Sequence, residues 1–382
     1  MAGRRNAPSE IAAGHHHDAR GRSFPIAGMI AQAVDGTTLG RIVPEGGTGG
    51  ADDSKGKGEA QSPPKRSPLV FGLRLAFGLG VIGVLLWKTD LGMVLQTIAR
   101  VSLAWLALAL VVQLAGKVIW AMRWSATLDI FGLHVPLGIL VRAIFIGQFF
   151  NNFLPSSVGG DFYRGYWILD DPKLYRQSMF LVFLERLLGL IALGFVAFPA
   201  LLFLVVRGRP VWDANFLVIL GMLAALCGSA ILLHPDVYGW IDRRLAPIRV
   251  RAVVDLRRKL LESIRLLYQA GWLRSKAFLL SFLVQLVGVA FYYCLGRGLG
   301  ASMVGWQYLV IVPLVVMATV VPVTINGLGI REGALVVLTG AMGFDMTASE
   351  SVALGLLSSM VLLLVSLIGG GFYIAGKRQD AR

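Results

Sequence analysis

The sequence predicts an all-α polytopic membrane protein of about six full spans plus two interrupted, re-entrant hairpins related as an inverted repeat, eight helical segments if each is counted as a span. Three observations lead there. Hydrophobic residues make up 56% of the 382 and charged residues only 15%, more apolar than a soluble core uses. Apolar runs recur at the length of about 20 residues that carries a helix across roughly 30 Å of hydrocarbon. Two of those runs are broken near their middle by proline, glycine and charge.

A formal charge of +14 raises the question of nucleic acid. The basic residues fall between apolar segments and in the tails, as in cytoplasmic loops, so membrane topology accounts for them and no nucleic-acid partner is expected. Cys227 and Cys294 both lie inside apolar runs, which supports neither a disulfide framework nor a thiolate metal site. No cofactor is implied.

Taken in order, residues 1–67 are rich in Gly, Pro, Ser and charge, too polar to bury a core, and read as a disordered cytoplasmic tail. His15, His16 and His17 are too isolated to specify a metal site. The transmembrane domain is 68–376, with full spans at 69–87, 103–121, 179–206, 216–233, 277–295 and 352–375. Regions 137–168 and 306–342 are the interrupted pair. If both enter and leave on one side, the loop 235–274, with Arg243, Arg244, Arg249, Arg251, Arg257, Arg258, Lys259 and Arg265, faces the cytoplasm, as the positive-inside rule requires. The tail 377–382, with Lys377, Arg378 and Arg382, then ends inside as well. Within the loop Val253, Leu256, Leu260, Ile264 and Leu267 recur at three and four residues, the pattern of a helix lying on the inner leaflet against anionic lipid.

The first interruption is GQFFNNFLPSSVGGDFYRG, residues 147–165. Asn151 and Asn152 are polar, Pro155 disfavours α geometry at Leu154, and Ser156, Ser157, Gly159 and Gly160 form turns, so the helix breaks there. Asp161 and Arg164, three apart, share a face of any helix that restarts. Irregular backbone at membrane depth is tolerated only when buried in protein or lining a wet cavity, which makes the break a candidate site.

The second interruption repeats the first. In PVTINGLGIREG from Pro322, Thr324 answers Ser157, Ile325 answers Val158, Gly327 answers Gly160 and Arg331 answers Arg164. Three full spans lie between the copies, so the second enters from the opposite face. That inverted arrangement is common in transporters, where broken helices meet near the midplane. In each copy an arginine follows the glycine turn, within reach of backbone N–H groups that together with it can hold a phosphate.

Glu185 and Arg186 fall inside the span 179–206, where an uncompensated charge costs roughly 2.5–3.5 kcal/mol, so both are expected to face the interior. Adjacent residues point about 100° apart and need separate partners. Arg164 or Arg331 can serve Glu185, and Asp161 or Glu332 can serve Arg186. Lys117, Arg142 and Arg74 lie near predicted segment ends and are expected to snorkel. The aromatics Phe149, Phe150, Phe162, Tyr163, Tyr166 and Trp167 are expected to be interfacial belt residues or the lining for an acyl or isoprenoid chain.

The motifs NNFLPSSVGGDFYRG, LERLLGL (184–190) and VPVTINGLGIREGAL (321–335), in that order, resemble the flippase-like family named for the transmembrane region of lysylphosphatidylglycerol synthase. The resemblance covers about 69–375. It implies an integral inner-membrane protein similar to the domain that moves aminoacylated phospholipid between leaflets, and points at Asn152, Pro155, Gly159, Gly160, Asp161, Arg164, Glu185, Arg186, Pro322, Gly327, Gly329, Arg331 and Glu332. No soluble aminoacyl-transferring domain follows the last span in this sequence, so lipid aminoacylation is not expected. The residues expected to bind substrate are Asn152, Ser157, Gly160, Asp161, Arg164, Glu185, Arg186, Thr324, Asn326, Gly327, Arg331 and Glu332, and the substrate is a membrane lipid with an anionic headgroup or a lipid-linked phosphate. Two alternatives compete with a translocase. One is a membrane-embedded transferase acting on a lipid-linked sugar, with Asp161 or Glu185 as base; it lacks a clear DxD-type metal pair, since Asp170 and Asp171 stand alone before Pro172. The other is an accessory subunit that partners envelope or glycan biosynthesis proteins and uses the charges only for packing.

Overall fold

The computed structural model describes residues 68–153, 160, 164, 175–206, 243, 271–320, 324 and 326–379. Outside them lie the tail 1–67 with its histidines, the span 216–233, nearly all of the loop 235–274 with its amphipathic stretch, Pro155, Ser157, Gly159, Asp161, Asp170, Asp171 and Pro322. The described chain is helical, with no strand among the described residues. Its helices are α1 Pro68–Lys88, α2 Leu91–Ala99, α3 Leu103–Ile130, α4 Leu137–Phe153, α5 Tyr175–Val206, α6 Trp272–Gly298, α7 Gly305–Val320, α8 Ile330–Ala341 and α9 Ala348–Gln379.

Among the described residues three helices, in α3, α6 and α9, are long and apolar enough to cross a membrane, or four if α1 and α2, bent by 98°, count as one span. Of the six runs that hydropathy predicts, 216–233 lies outside the described residues. The 69–87 run stops at a corner: Thr89 returns its hydroxyl to Leu85 O, and Asp90 caps a new helix by accepting from Gly92 N at 2.8 Å and Met93 N at 3.3 Å. The predicted span 179–206 lies within α5, which runs unbroken from Tyr175 to Val206 with Glu185 and Arg186 in its first half.

The region 306–342 is a helical hairpin. At its open end Trp306 meets Phe344 edge-on at 5.7 Å, and at its tip Gly327 lies against Thr319. The arms α7 and α8 are therefore antiparallel. Their 16 and 12 residues rise about 24 and 18 Å, less than a hydrocarbon core. From α8 the chain turns back into α9, started by a capping box in which Thr347 N donates to Glu350 Oε2 and Glu350 N to Thr347 Oγ1. Thr339 and Ser351 hydrogen-bond across this second antiparallel pair at 3.0 Å.

Small residues set the close approaches, as expected where lipid-like surroundings give helices little hydrophobic reason to associate. Gly369 of α9 lies on the Phe145 backbone of α4 and Gly370 on the Phe149 ring, while Gly116 of α3 meets Val287 of α6. The main core gathers around α6, α7 and α9, with Phe291, Leu295, Tyr308, Ile311, Leu314, Leu354 and Val365 buried, and Cys294 among them as a packing residue. Phe149 and Phe150 are half-buried, and Phe150 packs edge-on against Tyr373 of α9 at 5.1 Å.

Candidate functional site

Both breaks fall where proline and glycine place them. α4 ends at Phe153, and Gly160 and Arg164 are helical again. Gly160 donates its N–H to Asn151 Oδ1 at 2.9 Å rather than back along a helix, which puts it in a first turn whose free donors a side chain satisfies. The restarted segment folds back on α4, because a Cβ at Gly160 would stand 1.8 Å from Gly147 O. Two glycines meet there backbone to backbone.

In the second copy the turn needs left-handed backbone at three positions, with φ of 50° at Asn326, 76° at Gly327 and 84° at Gly329. α8 then begins at Gly329, whose N–H is held by Glu332 Oε2 at 2.6 Å. Glu332, fully buried, is thus the third helical residue reaching back to its own cap, the half of a capping box that glycine allows. Its other oxygen accepts from Ser359 of α9 at 2.8 Å. This corrects the expectation that Glu332 serves Arg186.

The two turns touch: Asn326 Nδ2 donates to Asn152 Oδ1 in a very short contact. Thr324, buried beside Gly78 of α1, has no hydrogen bond at its hydroxyl among the described residues. Asn152, Asn326, Gly327, Arg331 and Glu332 therefore share one locality, whereas Ser157 and Asp161 lie outside the described residues.

Each arginine reaches the long helix after its own turn. Arg164, buried, pairs with Glu185 of α5 at 2.6 Å and stacks over Trp124 at 4.3 Å. Arg331, also buried, donates to Ser359 of α9 at 2.8 Å and to Asn326 O at 3.1 Å, with no ion pair among the described residues. Of the two partners expected for Glu185, it is Arg164 that holds it. The second cation on Glu185 is Arg123 of α3, at 2.6 Å, and Trp120 Nε1 donates to the same oxygen as Arg123. Both oxygens of the Glu185 carboxylate are therefore occupied, Oε1 by Arg123 and Trp120 and Oε2 by Arg164. Arg186 is exposed on another face of α5, so the expectation of two inward charges holds for Glu185 alone.

Sequence reasoning missed Arg123, Trp120 and Trp124, and misplaced Lys117. Reading the span as 103–121 put Lys117 near its end and Arg123 beyond it. The helix runs on to Ile130, so Lys117 sits mid-helix, buried, donating to Gln148 of α4 at 3.1 Å. The available signal was helical spacing: Lys117, Trp120 and Trp124 recur at three and four, with Arg123 beside them. Arg142 is exposed, with its guanidinium 6.0 Å from the Phe372 ring.

Comparison with known proteins agrees with this architecture. The family model described as the lysylphosphatidylglycerol synthase TM region matches residues 71–370. A UPF0104 membrane protein of Pyrococcus horikoshii is 23% identical over 333 residues, covering 80% of this chain and 97% of the relative. With both breaks, the Glu185 cluster and nearly all the described helices inside the matched stretch, the chain belongs to the family of the lysylphosphatidylglycerol synthase transmembrane region.

Proposed function

We propose that the protein is a lipid translocase of the cell (inner or plasma) membrane, moving a phospholipid or polyprenyl-linked lipid between leaflets, with both termini cytoplasmic. The observation that carries this reading is the contact of the two breaks. Asn152 and Asn326 join turns from separate hairpins, and each turn is followed by a buried arginine. Inverted broken helices meeting around a shared site are the arrangement from which alternating access is built. Among the described residues the interior holds Lys117, Arg123, Arg164 and Arg331 against Glu185 and Glu332, a cationic balance that suits a phosphate-bearing headgroup. The basic loop 235–274 completes the reading as an anchor on anionic inner-leaflet lipid.

The transferase reading takes Asp161 or Glu185 as base, and Glu185 already accepts from Arg123, Arg164 and Trp120. The accessory-subunit reading draws support from that same cluster, which ties α3, α5 and the first break together. Reconstituted protein with a headgroup-labelled phospholipid separates the three. A translocase moves label between leaflets without changing its mass, and Gly160→Leu and Gly327→Leu each stop it. Modified lipid without leaflet exchange, abolished by Asp161→Asn, would favour the enzyme; neither outcome would leave the accessory role.

A further inference from the structure

Lys117 is the buried charge that the architecture does not explain. It is the fifteenth of the 28 residues of α3, and its side chain turns inward against α4 rather than along the helix toward an end. Only 6% of its surface is exposed. Its ammonium donates one hydrogen bond, to the neutral Oε1 of Gln148, and lies 5.2 Å from the centre of the Trp120 ring. Among the described residues it has no carboxylate partner, although an ammonium carries three donors and a full charge. The nearby Glu185 is engaged by Arg123, Arg164 and the Trp120 indole. A mid-helix cation held this way lowers stability and persists only where something other than packing requires it.

What surrounds Lys117 points to an anion. Gln148 and Asn152 are four apart on α4 and share a face. Asn152 accepts from Asn326, whose carbonyl accepts from Arg331. A string of polar side chains therefore runs from Lys117 through Gln148, Asn152 and Asn326 to Arg331, with a cation lacking an ion pair at each end. Trp120 and the Gln148 side chain, both half-buried, form the apolar and polar walls beside the ammonium.

We propose that Lys117 is a phosphate-binding residue, at the other end from Arg331 of the polar seam that runs along α4. The inference deepens the translocase reading by assigning a residue to the headgroup phosphate, and depends on it only in taking the phosphate to be a lipid's. A residue held for packing and one held for an anion differ in the sign of what neutralisation does.

The test uses full-length protein in dodecyl maltoside, which carries no phosphate, with phosphatidylglycerol or inorganic phosphate added in separate arms. Thermal unfolding and equilibrium binding are the readouts. For Lys117→Met we expect a melting temperature without ligand equal to or above wild type, together with phosphatidylglycerol binding weakened at least about tenfold. Lys117→Arg should retain binding. Phosphate competing with the lipid at this site would mark the headgroup phosphate as the recognised group; phosphate binding lost in Lys117→Met with no lipid binding in wild type would mark a free-anion site. Unchanged binding of both ligands by Lys117→Met, or a lower melting temperature without ligand and binding intact, would overturn the proposal and make Lys117 a packing residue. Leaflet exchange is not a readout here, so a failed translocase reading and a failed anion site remain distinguishable.

Discussion

Glu185→Gln is the substitution that tests the buried network most directly. Glu185 is 1% exposed, and its carboxylate meets Arg123 and Arg164 at 2.6 Å each, from side chains that are themselves 7% and 3% exposed. The amide keeps one acceptor oxygen and turns the other terminal atom into a donor facing a guanidinium. One cation then loses its partner and the other exchanges a charged bond for a neutral one. Removing one member of a buried ion pair destabilises by about 3–5 kcal/mol, because the remaining charge stays desolvated. We expect Glu185→Gln to lose stability of that order in unfolding of detergent-solubilised protein, whatever lipid is present. Replacing the whole cluster, as Arg123→Met with Arg164→Met and Glu185→Leu, should recover much of the loss, since a packed apolar triad carries no desolvation penalty. If Glu185→Gln unfolds within about 1 kcal/mol of wild type, or if the triple variant is less stable than the single one, the carboxylate is not the counter-ion that the geometry describes.

Arg331→Ala should accumulate and unfold close to wild type, because its partners are the neutral Ser359 and the Asn326 carbonyl, yet abolish lipid exchange in proteoliposomes; Arg164→Ala should lose both. Gly160→Ala would place a Cβ 1.8 Å from Gly147 O, and Gly327→Ala one 2.7 Å from Thr319 at a φ of 76°, so each should lower stability by about 1–3 kcal/mol in the same unfolding assay. Adding Thr319→Ala should relieve only part of the Gly327→Ala loss, because the backbone strain remains. For topology, cysteines at Ala252 and in the C-terminal tail should resist impermeant label and one at Asn215 should react; labelling of Ala252 from outside would require an interrupted region to cross completely.

Much of the fold was legible because membrane helices announce themselves by composition and the breaks by residue type. Pro155, the Gly159–Gly160 pair and the Pro322–Gly329 stretch do not favour a continuing α-helix; by Gly160 the chain has turned back on α4, and α8 begins at Ile330. Span ends were less legible, since hydropathy drops at a charge whether or not the helix stops. Arg123 ended the predicted span 103–121, yet the helix continues because its guanidinium is neutralised by Glu185, 62 residues away. The corner at Asp90 had a sequence cue, a capping residue beside an apolar run, but within a long hydrophobic stretch it reads as one interfacial charge. Glu332 was legible as buried, being next to Arg331 in an apolar segment, while its role in closing the first turn of α8 follows from the positive φ at Gly329, which composition does not show.

The two copies of the repeat carry the same arginine but bind it differently. In the first, Arg164 meets a carboxylate that Arg123 and Trp120 also hold, and aromatic faces from α3 cover it. Releasing it would strand Glu185 with one cation and expose a buried charge, a cost of several kcal/mol that thermal motion rarely meets. In the second, Arg331 rests on a hydroxyl and a backbone carbonyl, and the carboxylate at its side, Glu332, is already committed to the Gly329 N–H and to Ser359. Exchanging two neutral acceptors for an incoming phosphate strengthens the bonds that Arg331 makes instead of breaking an ion pair. The sequence symmetry therefore covers a division of labour: the Arg164 side fastens the first hairpin to α3 and α5, and the Arg331 side leaves a cation able to change partners. If the protein is the translocase proposed above, the second hairpin is where ligand exchange would begin, and the first the frame against which it would move.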